Sequence, residues 1–296
     1  MGDATGDPGL PGAFLRAYCE AMDIAVLGAT GTIGRHLVTR LEAAGHSVRP
    51  LSRASGVDAF RGTGLEEALT GADVAVDALN IATIRGDRAV SYFTRTAQKV
   101  ARAAERGGVR RVVCVSIAGA ADPAVNRLMG YYRGKAAQER LYREARIPAT
   151  IIHSTQWYEL AGSILSQASL GPVAVLPTMR MAPVAAARVA SFIEREIEND
   201  PLVTSGVPVE RGDGDASGND AATRTAAIRG PEELTSAELV RRILATRGSL
   251  AGRSPRLVTE LPYLGRGLAT GGLIPADAEV DDMTLEDWLR ESDQPL

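Results

Sequence analysis

The chain has 296 residues, 45% of them hydrophobic, and a formal net charge of -3. That length admits one large domain or a main domain with a smaller appendage, and the apolar fraction suffices for a substantial core. A mean hydropathy near zero without a bilayer-length apolar run argues against a membrane protein, and the mildly acidic balance offers nucleic acid no electrostatic footprint.

Residues 1–21 open with a Gly-, Asp- and Pro-rich stretch and lack the pattern of a leader peptide. They are expected to be a disordered extension, with Met22 the natural start and the preceding residues an upstream mis-start or a tail. From Met22 onward strands and helices alternate. Asp23 to Leu27 reads as the first strand, followed by a glycine loop and a helix to about Ala44. Gly45 stops that helix, His46 to Ser52 reads as the second strand, and Val57 to Phe60 as a weak third. A helix near Leu65 to Thr70 precedes a fourth strand, Val74 to Leu79. A long helix covers about Asp87 to Arg106 and ends at Gly107-Gly108. Arg110 to Ile117 is the fifth strand, Gly130 to Ala145 a helix, and Ile147 to His153 the sixth strand. This alternation predicts an α/β fold, a Rossmann-like doubly wound parallel sheet covered on both faces.

After Trp157 the pattern becomes irregular. Ala185 to Glu198, Glu238 to Ala245 and Thr284 to Arg290 read as helices, the last with Thr284 as its N-cap. Thr225 to Ile228 reads as a strand, and Glu210 to Thr223 as a mobile polar loop. The expected division is a dinucleotide-binding domain over 22–156 and a C-terminal region over 157–296. The latter shapes a substrate pocket and partly completes the sheet.

Gly28, Gly31 and Gly34 stand in a G-x-x-G-x-x-G spacing between the first strand and the first helix. That grammar is a tight turn that lets a diphosphate approach the backbone and aims a helix N-terminus at it. Thr30, Thr32 and Ile33, within the loop, and Leu79, at the end of the fourth strand, are expected to share the dinucleotide. A ligand-free tight turn would explain one glycine but poorly three.

NAD-preferring folds place an acidic residue at the end of the second strand, where it accepts from the ribose 2′-hydroxyl. No acidic residue lies between Glu42 and Asp58, and the strand ends in Leu51-Ser52-Arg53. A hydroxyl and a guanidinium suit a 2′-phosphate. NADP is therefore expected over NAD, with Ser52 and Arg53 as the selecting pair. The competing reading makes Arg53 an ordinary solvated charge.

Tyr131 and Lys135, four residues apart on one helix, share a face. An ammonium beside a phenol would lower its pKa and fit it for proton transfer at a carbonyl or alcohol centre. Lys135 would also reach a ribose hydroxyl. Ser116, at the end of the fifth strand, is a third candidate for the same substrate oxygen. Alternatively Tyr131 or its neighbour Tyr132 simply packs, and Ser116 only caps. Lysine is scarce here: of 33 basic residues, Lys99 and Lys135 alone are lysine. A compositional bias toward arginine explains that, and a position kept as lysine under such a bias points to a need for a compact ammonium.

After the sixth strand, Gln156, Trp157 and Tyr158 are placed at the substrate pocket. The aromatic pair equally fits an anchor for the C-terminal region, and sequence does not separate the two. Cys19 and Cys114 make no disulfide framework, and His36, His46 and His153 no metal-ligand spacing. No metal is expected, and a reducing cytoplasm fits.

The stretches IAVLGATGTIGRHLV (24–38), GVRRVVCVSIAGA (108–120), YYRGKAAQERLYREARIPATIIHSTQWYEL (131–160) and TLEDWL (284–289) together resemble the atypical short-chain dehydrogenase/reductase superfamily, most closely its NmrA-like branch. The resemblance spans nearly everything from Met22. It implies a Rossmann-like domain, NAD(P) held at Gly28, Gly31 and Gly34, a cofactor-facing Lys135 and a proton-transferring Tyr131. Three departures stand out. Ala118 sits nearer than Ser116 to the superfamily's serine register. Phe60 to Leu65 lacks the aspartate that relatives place near adenine. Arg188-Val189-Ala190 replaces an Asp-Val-Ala that would cap the following helix.

The expected function is NADP-dependent hydride transfer to a small carbonyl, quinone or enone acceptor. The alternatives are an NADPH-binding redox sensor that signals to a protein partner without turnover, and a non-redox isomerase or dehydratase on the same fold.

Overall fold

The computed structural model describes residues 21–83, 85–204 and 223–291. The expectations for the N-terminal extension and for the loop from Glu210 lie outside the described residues, apart from Ala21 and Thr223. The elements run β1 (Asp23–Leu27), α1 (Thr32–Ala43), β2 (Ser47–Leu51), α2 (Leu65–Leu69), β3 (Val74–Asp77), α3 (Gly86–Gly107), β4 (Arg111–Ile117), α4 (Pro123–Asn126), α5 (Gly130–Glu144) and β5 (Ala149–Ser154). There follow α6 (Ala161–Ala168), β6 (Ser169–Leu170), β7 (Val173–Pro177), β8 (Arg180–Met181), α7 (Ala186–Glu198), α8 (Pro201–Thr204), β9 (Arg224–Arg229), β10 (Leu234–Thr235), α9 (Ser236–Arg247), β11 (Leu257–Leu261), α10 (Arg266–Ala269), β12 (Glu279–Val280) and α11 (Leu285–Glu291).

Seven strands form the main sheet in the order β12-β9-β5-β4-β3-β1-β2. Every neighbouring pair in it is parallel. The chain steps outward from β1 to β2, then returns to the other side of β1 for β3. That reversal opens a crevice at the carboxyl ends of β1 and β3, where such sheets bind ligands. The central strands are apolar throughout because both faces are covered. Ile24 and Val26 of β1 pack with α1 and α7, while Ala25 and Leu27 pack with α2, α3 and α5.

The weak third strand expected over Val57 to Phe60 does not form; the stretch makes a single antiparallel bridge between Asp58 and Thr63. Gly56, Gly62 and Gly64 all have left-handed φ, at 83°, 85° and 65°. They fold the segment back on itself instead of extending it along β2. The sheet therefore ends at β2, next to Arg53.

Beyond Trp157 the chain contributes β9 and β12 to the main sheet and builds two small sheets, β10 with β8 and β11-β7-β6. A second core, including Tyr158, Leu165, Met181, Val240, Leu273 and Trp288, holds this region together. Its contact with the strand ends is close. A Cβ added to Gly119, just past β4, would lie 2.0 Å from the Gly272 carbonyl oxygen.

Candidate active site

The glycine loop is held by backbone bonds to both neighbours of β1. The Gly28 and Ala29 N–H groups donate to the Leu51 carbonyl at 3.0 and 3.2 Å, and the Ala78 N–H donates to that of Leu27 at 3.1 Å. Gly28 has φ 78°, and a Cβ there would meet the Ala78 carbonyl oxygen at 2.7 Å. Gly34 is tighter, with a Cβ 2.1 Å from the Gly28 oxygen. Gly31 is the N-cap of α1 and has no side-chain cap, and no acidic residue stands in the first turn. Thr30 and Gly31 lie exposed at the rim, Thr32 is half-buried, and Ile33 and Gly34 are buried. The result is a helix N-terminus with uncapped N–H groups and no competing carboxylate, which suits a diphosphate. The Arg35 guanidinium donates to the Thr30 carbonyl at 2.7 Å and braces the loop.

Ser52 and Arg53 follow Leu51 directly, so they stand at the same edge. Ser52 caps a single 3-10 turn, exchanging side-chain-to-backbone bonds with Ser55 at 3.3 and 2.9 Å. Arg53 is exposed on that turn. Farther along, Phe60 stacks on Tyr92 with centroids 5.8 Å apart, and Arg95 lies over Phe60 at 4.6 Å. Lys99 donates to the Arg61 carbonyl, which gives one of the two lysines a tethering role.

Leu79 sits where Gly28 closes on β3, its N–H donating to Asp77 Oδ1 at 3.1 Å. The next residue, Asn80, accepts a hydrogen bond from the Tyr131 hydroxyl at 2.8 Å. Helices α3 and α5 approach closely enough for this because Gly86 and Gly130 touch. A Cβ on Gly130 would lie 2.0 Å from Gly86 Cα. Tyr131 packs edge-on to Phe93 at 5.6 Å.

The electrostatics of Tyr131 differ from the sequence expectation. Burial raises its pKa, with Tyr132 adding to the effect and the Asn80 hydrogen bond opposing it; Lys135 is not among the influences. The Lys135 ammonium instead turns inward. It donates to the Val115 carbonyl at 2.9 Å and to Gln138 Oε1 at 3.0 Å, 4.4 Å from the Phe93 ring centre. It is 4% exposed, and burial lowers its pKa. A shared helix face thus brought Tyr131 and Lys135 to the same layer, but not into the electrostatic pair expected.

Ser116 is also turned away from the crevice. Its hydroxyl donates to the buried Glu139 carboxylate, which also takes Arg143 at 3.0 Å and contacts His153 Nε2 at 3.1 Å. Burial pushes against the charge of Glu139, but His153, Ser116 and Arg143 together hold its pKa below the ordinary value.

Of the residues after β5, Tyr158 is fully buried, donates to the Met283 carbonyl at 3.3 Å and lies 5.2 Å from the Trp288 ring, so it anchors the C-terminal region. Trp157 donates to Ser154 Oγ at 3.1 Å and packs toward the α1 and α7 side. Gln156 is buried beside Tyr132. Neither of its amide atoms meets a partner at full hydrogen-bonding geometry, yet its proximity partly offsets the burial that pushes the Tyr132 phenol up to about 12. Sequence reasoning missed Asn80, Asp77 and Gln138. An Asn three residues past a buried Asp at a strand end was the available signal for the first two.

A family model described as NAD(P)H-binding matches residues 28–200, more than half of the chain. No curated protein sequence matches. Among solved structures, a nucleoside-diphosphate-sugar epimerase from Pseudomonas aeruginosa is 20% identical with a TM-score of 0.61, covering 91% of this chain and 95% of its own. A dTDP-4-dehydrorhamnose reductase from Bacillus anthracis in complex with NADP is 12% identical with a TM-score of 0.61, covering 83% and 86%. A short-chain dehydrogenase/reductase superfamily protein from Agrobacterium tumefaciens with bound NAD is 17% identical with a TM-score of 0.57, covering 91% and 95%. At these identities the likeness is one of fold. No helix among the described residues is long and apolar enough to cross a membrane. The glycine loop, the crevice beside it and the family match agree: this chain belongs to the NAD(P)H-binding family, and its Rossmann-like fold is shared with the short-chain dehydrogenase/reductase structure it matches.

Proposed function

We propose that the protein is an NADP-preferring reductase of a small, uncharged carbonyl, quinone or enone. The observation that carries this reading is the hydrogen bond from the Tyr131 hydroxyl to Asn80, because Asn80 lies two residues beyond the carbonyl on which Gly28 closes. One short turn thus supports both the dinucleotide loop and a phenol. Bound NADPH would supply a hydride to the acceptor carbon and leave as NADP⁺. As the acceptor oxygen gains the electron pair, the Tyr131 hydroxyl turns from Asn80, donates its one proton to that oxygen and is refilled from solvent. Burial favours the protonated phenol, which suits reduction better than alcohol oxidation. Tyr131 is half-buried and packs with Ile117, Met129 and Leu264 against the C-terminal core, surroundings that favour an apolar acceptor.

NADP preference rests on Arg53 and on the lack of an acid at the end of β2. A reduced dinucleotide and the free, buried thiol of Cys114 suit a reducing cytoplasm. Of the alternatives, the sensor reading has a specific observation in its favour: Ser116 and Lys135 both spend their polar groups inside the core. The experiment that separates the two is NADPH oxidation against a panel of quinones, aldehydes and enones. Turnover on at least one acceptor, lost in Tyr131→Phe, is expected. Tight NADPH binding with no turnover on any acceptor would establish the sensor reading instead.

A further inference from the structure

A chain of buried polar groups runs from Lys135 to Asp77, and the backbone just beyond Asp77 leads on to the exposed Asn80. The Lys135 ammonium donates to Gln138 Oε1 at 3.0 Å, and Gln138 Nε2 donates to Asp77 Oδ2 at 2.8 Å. The Tyr142 hydroxyl donates to the same Asp77 oxygen at 2.6 Å. The other Asp77 oxygen takes the Leu79 N–H at 3.1 Å, and Asn80, next in sequence, takes the Tyr131 hydroxyl at 2.8 Å. Asp77, Gln138 and Tyr142 are fully buried. Each hydrogen bond pairs one donor with one acceptor, the step from Leu79 to Asn80 runs through the backbone, and the three groups facing Asp77 all donate, as suits a carboxylate.

We propose that Lys135 is a positioning residue acting through Gln138 and Asp77, and that it does not grip the dinucleotide. Three features support this. The ammonium already has two oxygen acceptors and an aromatic face, so little donor capacity is left for a ribose hydroxyl. Gln138 can present its donor to Asp77 only while its oxygen faces a donor, and the Lys135 ammonium is that donor. Reversal of the amide would set its oxygen against the carboxylate and its NH₂ against an ammonium. Finally, Asp77 is the last residue of β3, so what it holds is the turn Ala78–Asn80 that seats Gly28 and Tyr131. Arginine would not fit: a planar guanidinium cannot satisfy a carbonyl, an amide oxygen and a ring face from the volume of an ammonium. In a chain with two lysines, that accounts for this one.

The inference builds on the proposed function only in the role it gives Tyr131. Its test uses the apo protein and NADPH binding, which are independent of turnover. Hydrogen exchange of the segment around residues 78–81 would be measured in wild type, Lys135→Met, Gln138→Leu and Tyr142→Phe, with the NADPH dissociation constant from cofactor fluorescence. Expected are at least tenfold faster exchange at the Leu79 amide in both Lys135→Met and Gln138→Leu, and an equal, few-fold loss of NADPH affinity in the two. The double variant should be no worse than either single one. A tenfold or greater loss of affinity in Lys135→Met alone, with unchanged exchange in the turn, would overturn the proposal and return Lys135 to the ribose. Should Lys135→Met fail to fold, Gln138→Leu and Tyr142→Phe carry the test: unchanged exchange at Leu79 in both would refute it. If wild type binds NADPH yet reduces no acceptor, the reductase reading fails while these measurements still decide the role of Lys135.

Discussion

The Tyr131 hydroxyl donates to Asn80 Oδ1 at 2.8 Å, joining the first turn of α5 to the turn beyond β3. The amide acceptor holds the phenol's single proton in the resting site, so donation to a substrate requires the hydroxyl to turn from Asn80 to the substrate oxygen. If Tyr131 is the proton donor, Tyr131→Phe lowers kcat by about 10²- to 10⁴-fold, the usual range for a positioned acid. NADPH affinity should stay within about twofold, because the ring contact with Phe93 is kept. Asn80→Ala frees the phenol without removing it, so a smaller fall in kcat is expected. Stopped-flow NADPH oxidation and equilibrium binding on the same variants check both, and full turnover in Tyr131→Phe would remove Tyr131 from the mechanism.

Arg53 stands exposed on the turn after β2, next to the backbone that anchors the glycine loop. A charge-assisted hydrogen bond to a 2′-phosphate is worth about 1.5–3 kcal/mol. Arg53→Ala should therefore weaken NADPH by about tenfold or more and leave NADH nearly unchanged. Titration of both dinucleotides against wild type and variant measures the difference directly. Equal losses for the two would sink the 2′-phosphate assignment.

The glycines of the loop differ in what they tolerate. A Cβ at Gly34 would lie 2.1 Å from the Gly28 oxygen and 2.8 Å from Ala29 Cα, both backbone. A Cβ at Gly31 meets only the Gly28 oxygen, at 3.2 Å. Gly34→Ala should destabilise by about 1–3 kcal/mol, as overpacked sites do, and abolish measurable NADPH binding. Gly31→Ala should melt near wild type and bind more weakly. Thermal melts with and without NADPH separate the two, and a Gly34→Ala variant that melts and binds like wild type would contradict the loop geometry.

The sequence patterns translated unevenly into structure. Strand one, the glycine loop, the long α3 and the helix carrying Tyr131 were legible because hydrophobic period and glycine punctuation are local properties. Val57 to Phe60 misled because its apolar content is strand-like, whereas left-handed glycines at 56, 62 and 64 set the outcome. The shared face of Tyr131 and Lys135 was legible from spacing. The direction taken by the Lys135 ammonium was not, since its partners Val115, Gln138 and Phe93 come from three elements. The same holds for the cap of α7. Sequence shows no acid at the helix start, and the missing group arrives from elsewhere: Glu159 accepts the Ala186 N–H at 3.1 and 3.2 Å across 27 residues.

That cap gives the fold a pH signature. Burial raises the pKa of Glu159 above the ordinary 4.5, although hydrogen bonds from its own backbone, Ala186 and Trp288 oppose the shift. Between 4.5 and the raised value the folded state then binds more protons than the unfolded chain. Stability contributed by this group is full below 4.5 and declines as pH rises through the folded-state pKa, the reverse of a salt-bridged carboxylate. Glu159→Gln stays neutral at all pH values and keeps an acceptor for the Ala186 N–H. Its melting temperature relative to wild type should therefore rise as pH increases from about 4 to 7. Glu159→Ala loses the cap outright and should cost about 0.5–2 kcal/mol at either pH. Melts of the three proteins across that range provide the check; a Glu159→Gln curve parallel to wild type would show that the cap carboxyl titrates alike in the folded and unfolded chain.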